Sequence, residues 1–182
     1  MYKVLAIMGK SGTGKNAIVN ELCKDPESNR IISCTTRPIR QGEEDGVDYH
    51  FMTINEFFST EMVEKDCFNN WYYGTPVTAL DPNKINVGIY TPHGVQILLH
   101  NKDIVLNTIL LEAPDKIRLL RQLNREEWPN VQEIVRRYHA DNIDFEKIDN
   151  LYNCQIMNDG NMTIEQIAFG IKAFLQALGK KG

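Results

Sequence analysis

Gly9-Lys10-Ser11-Gly12-Thr13-Gly14-Lys15-Asn16 packs three glycines and two lysines into eight residues near the start of the chain. The apolar run Val4-Leu5-Ala6-Ile7-Met8 precedes it, and Ala17-Ile18-Val19-Asn20-Glu21-Leu22-Cys23, apolar at helical spacing, follows. The order buried strand, glycine loop, helix is the context that a phosphate-binding P-loop requires. Glycines let the backbone curl and turn its N–H groups toward an anion. A helix start adds unpaired N–H donors and a partial positive charge. Lys15 supplies a mobile full charge for the outer phosphates, and Ser11, Gly12, Thr13, Gly14, Lys15 and Asn16 are the expected ATP-phosphate contacts. Asn16 stands where Ser or Thr normally ligates magnesium. Its amide oxygen can serve as a neutral ligand, since magnesium keeps several waters, so weaker or altered metal binding is expected.

Further apolar stretches read as buried strands: Arg30–Cys34, Asn86–Tyr90, Ile104–Leu111 and Cys154–Met157. Helix-period stretches alternate with them at Asn16–Lys24, Pro92–His100, Pro114–Leu123, Val131–Phe145 and Ile164–Leu178. Alternation of this kind predicts an α/β class with a central parallel sheet between helical layers. Thr35–Ala79 breaks the rhythm. Strand-like Asp48–Phe51, Met62–Phe68 and Trp71–Tyr73 surround a short helix at Ile54–Thr60, which predicts a small, mostly antiparallel insert. The turn residues Asp81-Pro82-Asn83 argue against a helix over Pro76–Ile85, and Gly179–Gly182 reads as a frayed tail.

With 182 residues, 42% of them hydrophobic, the chain suits one α/β domain with small insertions. A net charge of −4 advertises no broad basic face and argues against nucleic acid as a partner. Cys23, Cys34, Cys67 and Cys154 have no metal-ligand spacing, lie in different apolar segments and read as buried reduced thiols, which suits the cytoplasm. Met1-Tyr2-Lys3 leads straight into a strand, so no leader is expected. No apolar run is long enough for a bilayer, so no membrane partner is expected.

The second informative stretch is Thr35-Thr36-Arg37-Pro38-Ile39-Arg40-Gln41-Gly42-Glu43-Glu44-Asp45-Gly46-Val47-Asp48-Tyr49-His50-Phe51. Arg37 and Arg40 flank a stiffening proline, and guanidinium forks match phosphate oxygens. Behind a P-loop, this stretch resembles the guanylate kinase family, whose pattern there is S-x-T-T-R-x-P-R-x-G-E-x-x-G-x-D-Y-x-F. The resemblance continues through Glu61-Met62-Val63-Glu64 and Trp71-Tyr72-Tyr73-Gly74-Thr75, and through Arg121, Arg125 and Arg136-Arg137 as a lid. It closes with Met157-Asn158-Asp159, like the family's V-N-D.

The resemblance implies one P-loop domain: a core at 1–34 and 86–182, a GMP-binding insert at 35–80 and a helical lid at 124–138. It implies transfer of a phosphoryl group from ATP to GMP or dGMP with Mg²⁺, by a monomer or homodimer. Arg37, Arg40, Tyr49 and Tyr73 would hold the GMP phosphate. Ser33, Glu64 and Thr75 would read the base; a carboxylate suits guanine because it accepts from the ring N–H and the amino group together. Lys15, Arg40, Arg125 and Arg137 would stabilise the transfer, with Arg121 a weaker candidate, and Asn158 and Asp159 would flank the adenine. The lid tip here is Trp128-Pro129 instead of the family's Gly-Thr-rich acidic turn. In Asn86-Val87-Gly88-Ile89-Tyr90-Thr91-Pro92-His93-Gly94, uncharged Ile89 and Thr91 stand where the family has the acids of L-D-I-D-x-Q-G. Either Asp81 or Asp103 compensates, or the site works without those carboxylates. Two other readings follow from these departures: a kinase for another nucleoside monophosphate, and an inactive binding module of the same fold.

Overall fold

The computed structural model describes residues 1–40, 42–68, 70–125, 127–148 and 150–179. Gln41, Asn69 and Glu126, which fall in the expected insert and lid, together with Asp149 and the tail residues Lys180, Lys181 and Gly182, lie outside the described residues. In chain order the elements are β1 (Tyr2–Met8), α1 (Lys15–Leu22), β2 (Ser28–Arg30), β3 (Cys34–Thr35), β4 (His50–Phe51), α2 (Ile54–Ser59), β5 (Met62–Phe68), β6 (Trp71–Pro76), β7 (Ile85–Ile89), α3 (Pro92–Leu99), β8 (Ile104–Glu112), α4 (Asp115–Leu123), α5 (Val131–Asp144), β9 (Cys154–Met157) and α6 (Ile164–Gly179).

Five strands form one sheet in the order β2-β7-β1-β8-β9, and every pairing in it is parallel. The strand period of two explains its layers. Leu5 and Ile7 of β1 pack with Ile18, Val19 and Leu22 of α1 and Ile167 and Ile171 of α6. Val4, Ala6 and Met8 face the other way, toward Val95 and Leu98 of α3 and Tyr90. A strand buried on both faces reads as a continuous apolar run, which is what Val4–Met8 shows. No helix among the described residues is long and apolar enough to cross a membrane.

A second, mixed sheet has the order β4-β3-β6-β5. Here β3 pairs parallel with β4 and antiparallel with β6, and β5 pairs antiparallel with β6. Arg30–Cys34, read above as one strand, is divided between the two sheets. The Ile31 N–H still donates to Val87 O at 2.9 Å, whereas Ser33 O accepts from His50 N at 2.9 Å. The chain changes sheets between those bonds, and Ser33 sits at the crossing. Val77–Ala79 forms one 3₁₀ turn, and the following Asp81 turn is pinned by buried Asn86. The Asn86 amide donates to Asp81 O at 2.9 Å and to Lys3 O at 3.1 Å, and its carbonyl accepts from Asp81 N at 2.7 Å.

Candidate active site

The P-loop joins β1 to α1, and its carbonyls are fixed from outside. Arg118 Nε donates to Ser11 O (2.9 Å), Arg121 to Gly12 O (3.3 Å), and Asn158 Nδ2 to Thr13 O (2.8 Å). Thr13, itself buried, donates its hydroxyl to Lys10 O at 2.9 Å. Carbonyls held outward leave the opposite face of each peptide for an anion. Gly12 and Gly14 are among the positions here where only glycine fits. Gly12 has φ +81° and a Cβ on it would lie 2.5 Å from Arg118 O; Gly14 has φ +96° and a Cβ would lie 2.7 Å from the Asn158 amide nitrogen. Gly14 caps α1 without a side-chain hydrogen bond, and the first backbone bond of the helix is Ile18 N to Gly14 O. The first-turn N–H groups thus stay available, as anion binding at a helix start needs.

Asn158 is buried and its amide also accepts from Arg121 at 3.3 Å, so its side chain braces the loop. Asp159 forms a local turn with Asn161. Replacing Asn158 by Ala leaves the Thr13 carbonyl with only the long bond from Arg121 at 3.5 Å, and we expect a loss of about 1–2 kcal/mol in unfolding free energy, measured by urea denaturation.

Lys15 Nζ donates to Gly9 O at 2.5 Å and to Lys10 O at 3.0 Å. Burial pulls its pKa down to about 8, with the nearby Asp141 charge opposing. Asp141, on α5, accepts from the Ser11 backbone N–H at 2.6 Å and lies 3.3 Å from its hydroxyl. Arg118, 1% exposed, bridges Asp141 (3.2 Å) and Asp115 (2.8 Å) beneath the ring of Tyr138. These contacts dock α5 against the phosphate loop.

One cavity of about 630 Å³ joins the loop to the second sheet. Gly9, Ser11 and Lys15 form one wall; Ser33, Arg40, Tyr49, Glu64 and Tyr73 form the other. A smaller cavity of about 170 Å³ gathers Asn16 and Arg125 with Arg40 and Ser33. Tyr49 and Tyr73 meet edge to face, ring centroids 6.0 Å apart. Burial lowers the pKa of Arg40, and the neighbouring charges of Arg137 and Arg37 lower it further, the signature of a cluster short of anions. Arg37 stands behind this wall, 6% exposed. Its fork grips Glu43 with two bonds of 2.9 Å, while Glu43 also accepts from Arg40 N at 2.9 Å. Arg37 therefore stiffens the turn that carries Arg40.

Glu64, on β5, is 6% exposed and accepts from the Thr75 hydroxyl at 2.9 Å. The Tyr90 hydroxyl lies 3.3 Å from the same Thr75 oxygen. Burial pushes the Glu64 carboxyl up to about 7, against the Thr75 hydrogen bond and with a smaller push from the Asp66 charge. A carboxylate held in a dry pocket at that cost points to a ligand with donors to offer.

Five side chains of α5, Glu133, Arg136, Arg137, Asp141 and Asp144, line the main cavity. Their spacing follows the helical period, a signal in the sequence that the arginines alone did not exhaust. Glu133 pairs with Arg136 (2.7 Å) and Arg137 (2.8 Å) and reaches Arg40 at 3.6 Å, so it links α5 to the loop that carries Arg40. The Arg136 hydrogen bond, followed by Arg137, holds its carboxyl at about 2. Trp128, between α4 and α5, is 86% exposed.

The family model described as guanylate kinase matches residues 1–178. The chain belongs to the guanylate kinase family. The guanylate kinase of Malacoplasma penetrans is 31% identical over 170 residues, covering 86% of this chain and 85% of that one. That of Prochlorococcus marinus is 31% identical over 146 residues, covering 74% and 78%. Among solved structures, the guanylate kinase of Anaplasma phagocytophilum superposes with a TM-score of 0.66 at 19% identity, covering 97% of this chain and 86% of that one. An uncharacterized protein from Eubacterium ventriosum gives 0.54 at 11% identity, covering 95% and 98%, and supports the fold.

Proposed function

We propose that this chain transfers the γ-phosphoryl group of ATP to the phosphate of GMP or dGMP, giving ADP and the guanosine diphosphate. The observation that carries this reading is the single cavity walled by the P-loop on one side and by Arg40, Tyr49, Tyr73 and Glu64 on the other. Every wall comes from one chain, so the reading needs no partner subunit.

The acceptor is a phosphate oxygen, already anionic at neutral pH, so no general base is required. The task is to bring two polyanions together and spread the charge of the moving group. The N–H groups at the start of α1, which have no partner in the helix, and Lys15 hold the ATP phosphates, while the Ser11 N–H is taken by Asp141. Arg40, with Tyr49 and Tyr73, holds the GMP phosphate. Arg137, with Arg136, exchanges Glu133 for phosphate oxygens as the two nucleotides fill the cavity, and Arg125 approaches from the side of Asn16. Glu64 accepts from the guanine ring N–H and amino group, and Thr75 and Ser33 complete the base edge.

Among the described residues no group of three His, Cys, Asp or Glu side chains converges to hold a metal. Exposed Asn16, beside the loop in the smaller cavity, suits a magnesium ion that enters on ATP phosphates with most of its waters. Bound there, magnesium would neutralise phosphate charge, with the Asn16 amide oxygen as the protein ligand.

The test is chromatographic separation of products from ATP with each of GMP, dGMP, AMP, CMP, UMP and dTMP. We expect guanine nucleotides to be preferred over AMP by about 10⁴ in kcat/KM, the scale reached when buried polar groups meet a mismatched edge. Preference for another base, or no diphosphate at high enzyme concentration, overturns the proposal.

A further inference from the structure

The place of the two absent family acids is not filled by Asp81, which is held in the turn beside Asn86, nor by Asp103, which lies at the start of β8 with its N–H on Asn101. A different carboxylate reaches it. Asp66, on β5, follows Glu64 by two residues and so shares its face of the strand. Its side chain is 10% exposed. One oxygen accepts from the Thr91 hydroxyl; the other lies 2.7 Å from His93 Nδ1 and accepts from Cys67 N at 2.7 Å. Thr91 lines the main cavity, whereas Asp66 stands behind it.

Thr91 is the N-cap of α3, and its oxygen accepts from Gly94 N at 2.9 Å. A hydroxyl has one proton and two lone pairs. The proton is committed to Asp66 and one lone pair to Gly94, so the group can present only its second lone pair to the cavity. Gly94 shows how close that oxygen lies to the Glu64 carboxylate. A Cβ on Gly94 would be 3.3 Å from Thr91 Oγ1 and 3.4 Å from Glu64 Oε2. The two oxygens flank one point that no side chain fills.

Resting on the guanine reading above, we infer that Asp66 is a positioning residue for base selection: by taking the Thr91 proton it turns that hydroxyl into an acceptor for the second hydrogen of the guanine 2-amino group. Glu64 takes the ring N–H and the first amino hydrogen, and Thr91 takes the other. The arrangement selects for a purine that carries a 2-amino group over one that lacks it. A threonine free to rotate could aim its own proton at the amino group, and the preference would weaken.

The discriminating pair is GMP and inosine monophosphate, which differ only by that amino group. In D66A we expect the GMP-to-IMP ratio of kcat/KM to fall about tenfold, the worth of one well-placed hydrogen bond. D66N, which keeps an acceptor oxygen toward Thr91, retains most of the ratio. T91V loses about as much as D66A, and D66A/T91V loses no more than either alone, because the two act as one unit. Thermal melts of all four proteins accompany the kinetics. An equal loss on both nucleotides in D66A, or an unmoved ratio in T91V, overturns the inference while leaving the guanine reading standing. A wild-type chain that phosphorylates neither nucleotide overturns both.

Discussion

Glu64→Gln lowers kcat/KM for GMP by about 10³ and raises stability above neutral pH. The activity loss follows from geometry: glutamine offers one acceptor and one donor where the guanine edge presents two donors, and the mismatch is buried beneath Thr75 and Gly94. The stability gain follows from the raised carboxyl. The folded chain binds the Glu64 proton more tightly than the unfolded chain, whose value is near 4.5 against about 7 when folded. Stability is therefore greatest below about pH 4.5 and declines as pH rises through 7, where the buried charge must form. Above 7 that cost is on the order of 3 kcal/mol, which the neutral amide avoids. Melting curves at pH 5 and pH 8 check the sign: the two proteins match more closely at pH 5, and the variant is the more stable at pH 8. The same ionisation gives the wild type a limb in kcat/KM for GMP that rises toward pH 7 and levels above it. The nucleotide phosphate titrates near 6 in both proteins, so the difference between their profiles isolates Glu64.

Lys15→Met lowers kcat/KM by at least about 10³, since it removes the full charge that the P-loop itself brings to the outer phosphates in a dry site. Folding survives the change. The lysine amine is buried and its pKa lies near 8, so the folded state already bears a cost for keeping it charged at neutral pH. Methionine fills similar space and forgoes the bonds to the Gly9 and Lys10 carbonyls. Far-ultraviolet circular dichroism should be unchanged. In the wild type, kcat/KM for ATP declines above about pH 8 as free Lys15 loses its proton, by up to about tenfold per unit. The phosphates of bound ATP hold that proton in place, so kcat is less affected. A decline of equal size in Lys15→Met would assign it to another group.

What could be read in advance follows the physics of each element. Strands buried on both faces, such as Val4–Met8 and Ile104–Leu111, are continuous apolar runs and show themselves. Helices with one buried face, α1 and α6 among them, show a period. The division of Arg30–Cys34 between two sheets left no trace, because Ile31 and Cys34 are both buried and only the partner of each backbone group differs. At the site, residues that a spacing rule can place are brought to one cavity: Lys15, Arg40, Tyr49, Glu64 and Tyr73. Arg37 differs because its place in the motif says nothing of Glu43, which takes its fork. Asp66 and Asp141 escaped for another reason. Each is an ordinary acid in a polar stretch, and what distinguishes it is a partner 25 or 130 residues away. A strand period of two from Glu64 and a helical period from Arg137 would have placed both on the right faces, but not against Thr91 or Ser11.

The central claim is that ATP and GMP occupy one cavity with their phosphates meeting between Lys15 and Arg40. Binding of an adenosine–guanosine pair bridged by five phosphates, followed by calorimetry and by inhibition kinetics, tests it most directly. The expected result is one molecule bound per chain, tighter than either nucleotide alone, and competitive inhibition against both ATP and GMP. Competition against one nucleotide only, or two molecules bound per chain, would place the phosphate cups apart and contradict the account.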